Sequence, residues 1–92
     1  YACLASRIPY GEVITAEKLQ MIEKAEQLLL DLGFAEMRVR CHDKLARIEV
    51  SESAIEKIAQ PQLRRKIVAA FKQAGFLYVS LDLEGFRSGS ML

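Results

Sequence analysis

Apolar residues recur at helical spacing from Leu19 to Leu32, with Leu19, Ile22, Ala25, Leu29 and Leu32 on one stripe. Thr15 stands where an N-cap belongs, Glu17 suits the positive end of a helix, and Gly33 fits a left-handed stop. The spacing therefore predicts a helix over 16–32, with Glu23, Glu26 and Asp31 on its wet side; Glu26 is also placed to meet a neighbouring subunit. The period then changes to two. Across 34–42, Met37, Val39 and Cys41 point one way and Glu36, Arg38, Arg40 and His42 the other. Asp43-Lys44 is short enough for a hairpin. A return strand over 45–50 puts Ala46, Ile48 and Val50 inward and Arg47 and Glu49 outward.

Beyond the hairpin, Ser51 or Ser53 can cap a short helix over 54–59. Pro61 suits the first turn of a second long helix ending at Gly75. Its apolar stripe is Leu63, Ile67, Ala70, Phe71 and Ala74, and Arg64, Arg65, Lys66 and Lys72 lie on the solvated side. A last strand is expected over 76–84, with Leu77, Val79, Leu81 and Leu83 inward. The order loop-α-β-β-α-β predicts an α+β domain of two layers: a three-stranded, mostly antiparallel sheet with helices on one face. Residues 1–14 read as a non-periodic N-terminal segment punctuated by Pro9 and Gly11, 15–84 as the domain, and 85–92 as a flexible tail. The polar sheet face is left to meet a ligand or another domain.

Composition narrows the function classes. A hydrophobic content of 51% supports a core, and a net charge of +1 provides no field for a dedicated nucleic-acid binder. No apolar run reaches the ~18–20 residues needed to cross a bilayer, and no signal peptide is visible. Two cysteines outside any CxxC do not make a disulfide framework, so a reducing cytoplasm is the expected setting. The chain begins at Tyr1 and reads as a piece of a longer protein.

Two groups of residues are candidates for chemistry. Arg38 and Arg40, two apart on one strand, project from one face about 7 Å apart. That spacing lets two guanidiniums grip different oxygens of one phosphate. The plainer alternative is that they are strand arginines paired with Glu36, Glu49, Asp82 and Glu84. Cys3 lies in a short segment with a hydroxyl (Ser6) and a guanidinium (Arg7) close by, which favours a thiolate. Its plainer alternative is a small buried hydrophobe. Cys41 falls on the inward face and reads as core. His42, the single histidine, has no second ligand at metal spacing, so no metal site is predicted.

The segment from Cys3-Leu4-Ala5-Ser6-Arg7-Ile8 through Pro9-Tyr10-Gly11-Glu12 resembles one in the LarE-type ATP-dependent sacrificial sulfur transferases, a branch of the PP-loop ATP-pyrophosphatases. The likeness returns in Arg38-Val39-Arg40, in Leu45-Ala46-Arg47-Ile48-Glu49-Val50, and in Leu81-Asp82-Leu83-Glu84-Gly85-Phe86-Arg87-Ser88-Gly89-Ser90-Met91. It covers nearly the full chain in order. The resemblance implies the C-terminal domain of such an enzyme, in which Ser6, Arg38 and Arg40 hold phosphate. It implies that a preceding PP-loop domain of the same chain binds ATP, with Mg2+, and adenylates a carboxylate of a pyridine dinucleotide precursor of the nickel-pincer nucleotide. Cys3 is then the sulfur donor. Some relatives instead hold an iron–sulfur cluster on three cysteines. A homo-oligomer is expected, without nucleic acid or membrane as partner. No Ser-Gly-Gly-x-Asp-Ser phosphate loop occurs here, so these 92 residues are not expected to hydrolyse ATP unaided. The rival readings are a non-catalytic α+β interaction module, or another PP-loop activity such as thiolation of a tRNA base or amidation of a small acid.

Overall fold

A computed structural model describes residues 4–86. A 3-10 turn (Leu4–Arg7) precedes α1 (Ala16–Asp31), the hairpin β1 (Met37–His42) and β2 (Leu45–Val50), a 3-10 turn (Glu52–Ala54) running into α2 (Ile55–Ile58), then α3 (Pro61–Ala74) and β3 (Tyr78–Leu81). The strands lie in the order β1-β2-β3. β1 and β2 pair antiparallel, whereas β2 and β3 pair parallel across the helical connection. The α+β architecture is the one the pattern predicts, and the sheet is mixed. Helices α1 and α3 cover the face carrying Val39, Cys41, Ala46, Ile48 and Val50, all 0–3% exposed.

Both long helices end in the same way. After α1, Gly33 (φ +98) lets its own amide bond Leu30 and the Phe34 amide bond Leu29 at 2.9 Å. After α3, Gly75 (φ +123) does the same, its amide bonding Lys72 and the Phe76 amide bonding Phe71 at 3.1 Å. This is the Schellman closure, which spends carbonyls the helix cannot satisfy and turns the next side chain inward. Phe34 and Phe76 are accordingly 4% and 1% exposed, and the Phe71 and Phe76 rings meet at 5.8 Å. Each buried ring contributes about 1.5–3 kcal/mol of transfer free energy.

This closure moves the strand boundaries. Residues 34–36 belong to the helix exit, so β1 starts at Met37 and not at Phe34. β3 is four residues long instead of nine. Leu77 and Leu83, expected inward, are 61% and 80% exposed, while Phe76 takes the core position. The strand stops because the Asp82 carboxylate accepts the Glu84 amide at 2.9 Å and its carbonyl accepts the Gly85 amide at 3.1 Å, a turn aspartate forms readily. The short helix near Ser51 arrives as a 3-10 turn plus four α residues. Ser51 occupies the capping position without a side-chain capping bond.

The N-terminal segment is no loose lead. Ile8 is 7% exposed within the core, and the Leu4–Arg7 turn packs on α1 and β1. Glu12 accepts from Lys18 Nζ at 3.3 Å and from the Asp43 amide at 2.9 Å, tying this segment to the hairpin turn. Part of the expected tail is also fixed, since the Phe86 amide donates to the Val50 carbonyl at 2.6 Å. Residues 87–92 lie outside the described residues. No helix among the described residues is long and apolar enough to cross a membrane.

Candidate functional site

The two-residue turn places Asp43 in the left-handed region (φ 55), a conformation aspartate tolerates better than most side chains. The turn fixes the register: His42 faces Leu45, Arg40 faces Arg47 and Arg38 faces Glu49. Arg38, Arg40, Arg47 and Glu49 therefore share the face turned away from the helices. Two arginines opposite each other repel. Glu49 answers both, accepting Arg40 Nε at 3.3 Å and Arg47 Nη2 at 3.2 Å on one oxygen. Arg47 also reaches Asp82 at 3.7 Å. Arg38 lies against the Phe86 ring, 4.9 Å from the centroid. Burial pulls the Arg38 guanidinium below the usual arginine range, and repulsion from Arg40 and then Arg7 adds to the effect.

The N-terminal turn comes to the same place. The Ser6 carbonyl accepts Arg40 Nη1 at 3.2 Å, so the segment folds back onto the strand arginines. What holds it there is a buried ion pair. Arg7, 7% exposed, donates from Nε to Glu26 Oε2 at 2.8 Å and from Nη2 to Oε1 at 3.2 Å. The same Oε2 accepts the Val39 amide at 3.0 Å, on the edge of β1 that β2 does not use. Arg7 Nη1 also bonds Ser6 Oγ at 3.1 Å. One carboxylate from α1 thus joins helix, strand edge and N-terminal turn.

Three of the four predicted site residues are brought together or onto one face: Ser6 beside Arg40, and Arg38 two residues along the same strand. Cys3 lies outside the described residues. Arg40 has one of the acidic partners that the plainer alternative named: its side chain is 16% exposed and held by Glu49 and by the Ser6 carbonyl. Glu26, assigned to the wet side and to a neighbouring subunit, is instead 9% exposed inside this frame. Cys41 is core as expected, with no exposed surface, its Sγ donating to the Asp43 carbonyl at 3.2 Å and burial pushing the thiol up. His42 stays half-buried on the polar face. Arg64, Arg65 and Lys66 are exposed on α3, away from the site. Among the described residues no three His, Cys, Asp or Glu side chains converge as metal ligands.

Comparison with known proteins bears on this arrangement. The chain is 40% identical over 90 residues to pyridinium-3,5-bisthiocarboxylic acid mononucleotide synthase of Lactiplantibacillus plantarum, covering 96% of the chain. It is 48% identical over 89 residues to an uncharacterized protein of Synechocystis, and 35% identical over 86 residues to one of Methanocaldococcus jannaschii. The chain spans about a third of the length of these relatives: 31% of the synthase, and 33% of each of the others. No protein-family model matches it.

The residues that sequence reasoning missed are Arg7 and Glu26 as a frame. A signal for Glu26 was present: four residues after Ile22 and three before Leu29, it falls on the buried stripe.

Proposed function

We propose that this chain is the C-terminal domain of a LarE-type, ATP-dependent sulfur transferase acting in nickel-pincer nucleotide synthesis, and that Ser6, Arg38 and Arg40 hold a phosphate of AMP or of the substrate. The observation that carries the reading is the 40% identity, over nearly the whole chain, to a synthase whose name specifies a bisthiocarboxylic acid of a pyridinium mononucleotide. The geometry supports it. The Arg40 guanidinium, already oriented by Glu49 and by the Ser6 carbonyl, needs little reorganisation to meet an anion, and a charge-assisted hydrogen bond contributes about 1.5–3 kcal/mol.

In the full-length protein the preceding PP-loop domain would bind ATP and Mg2+ and convert a substrate carboxylate to an acyl-adenylate. The Cys3 thiolate attacks the acyl carbon, the C–O bond to AMP breaks, and a thioester forms. Loss of the Cα proton to a base then expels the thiocarboxylate by cleavage of the Cβ–S bond, leaving dehydroalanine at position 3.

The test is mass spectrometry of the full-length protein after one turnover. The peptide carrying Cys3 is expected to have lost the elements of hydrogen sulfide, and Cys3→Ala should abolish thiocarboxylate formation while leaving adenylation intact. Thiocarboxylate produced at the wild-type rate by Cys3→Ala would overturn the donor assignment.

A further inference from the structure

Gly85 and Phe86 follow the turn made by Asp82, and their backbone is held against the end of β2. The Phe86 amide bonds the Val50 carbonyl, and Gly85 lies so near that an added Cβ would stand 2.9 Å from that oxygen. With φ at +82 as well, only glycine sits there without strain. These two residues form a strap fixed through its backbone. The strap carries the Phe86 ring onto Arg38, 4.9 Å from the guanidinium carbon to the centroid.

A ring stacked on a guanidinium attracts it through the ring quadrupole, more strongly where water is excluded. Stacking engages the flat face, whereas the N–H donors lie in the plane and are directed at acceptors around its rim. The ring therefore sets the plane of the cation without competing for its hydrogen bonds. Arg38 is half-buried, and it loses hydration and feels Arg40 and Arg7, so a compensating aromatic face matters more there than at a solvated site.

We infer that Phe86 is a positioning residue that fixes the plane of the Arg38 guanidinium for a phosphate-class anion shared with Arg40. The inference rests on the anion reading given above and extends it to the strap. Phe86 acts through Arg38 and needs no contact with the anion.

The test is titration of inorganic phosphate into the 92-residue chain, followed through the arginine Nε–Hε and backbone amide signals by NMR. In the wild type, the Arg38 and Arg40 signals are expected to move together to saturation. Phe86→Leu keeps an apolar filler but loses the aromatic face. It should bind about fivefold more weakly, with faster solvent exchange of the Arg38 Nε–H. Phe86→Tyr should restore both. Gly85→Ala leaves the ring chemistry untouched but displaces the strap, and should reproduce the Phe86→Leu loss; its amide spectrum reports whether it is folded, and Phe86→Leu decides if it is not. Phosphate affinity and Arg38 exchange unchanged in Phe86→Leu would overturn the inference and leave the anion site standing. Absence of any response at Arg38 and Arg40 in the wild type would overturn the anion site, and this inference with it.

Discussion

Glu26 sits where helical spacing calls for an apolar side chain, and it is the residue on which three elements converge. Its carboxylate holds the Arg7 guanidinium and the Val39 amide in a nearly dry setting. Removing one charge of a buried pair leaves the other uncompensated, which costs far more than losing a surface contact. Glu26→Gln keeps an acceptor for Val39 but withdraws the charge opposite Arg7. It should destabilise the chain by about 3–5 kcal/mol in urea unfolding. The paired replacement Glu26→Leu with Arg7→Met should recover most of that loss. A Glu26→Gln loss of less than about 1 kcal/mol, the size of a surface pair, would show that the pair does not hold the N-terminal turn. At this scale the sequence was partly readable. Strict alternation gave Arg38 and Arg40 one face, and the two-residue turn set Glu49 opposite Arg38. Reading glutamate as polar, and so as solvated, hid the buried role of Glu26 despite its place on the apolar stripe, and its pairing with Arg7, nineteen residues away, is visible only in space.

Among the elements, the two helix exits offer a controlled comparison. Gly33 and Gly75 have the same closure, but an added Cβ at Gly33 meets nothing within 4 Å, whereas at Gly75 it meets the Met21 side chain at 3.1 Å. Gly33→Ala should cost the left-handed strain alone, about 1–2 kcal/mol. Gly75→Ala should cost more, because Met21, 3% exposed in the core, must also shift. Thermal unfolding of both variants checks this, and a larger loss for Gly33→Ala would contradict it.

The clamp at the hairpin turn is pH-dependent in a defined direction. The Asp43 amide is the main cause holding the Glu12 carboxyl below its ordinary value of 4.5, with Lys18 and His42 also favouring the charged form against desolvation. A folded-state pKa depressed in this way gives stability that is present above 4.5 and lost as pH falls through the lower folded value. Glu12→Gln should remove that part of the acid dependence while leaving the profile near neutral pH flat, as measured by unfolding at a series of pH values. An unchanged acid limb would mean that the clamp contributes nothing. Helix limits were legible because caps and glycines mark them in sequence. The ends of β1 and β3 were not, because a helix exit turns a phenylalanine inward and an aspartate turn ends a strand without breaking the alternating pattern.

For the whole molecule, the mixed sheet follows from connection lengths. Two residues return β2 beside β1 antiparallel, and the helical crossover through α2 and α3 brings β3 back parallel. The polar sheet face is then framed by the Leu4–Arg7 turn on one side and the Gly85–Phe86 strap on another, so segments from both ends of the described chain converge on the arginines. The arginines of this face are thereby gathered into a compact cluster bounded by both segments. The most direct test of the central claim is calorimetric titration of phosphate into the isolated chain and its arginine variants. Wild type should bind, Arg38→Ala and Arg40→Ala should each weaken binding by about 1.5–3 kcal/mol, and Arg64→Ala on the remote face should change nothing. Equal affinity in wild type, Arg38→Ala and Arg40→Ala, or loss of binding in Arg64→Ala, would contradict the account.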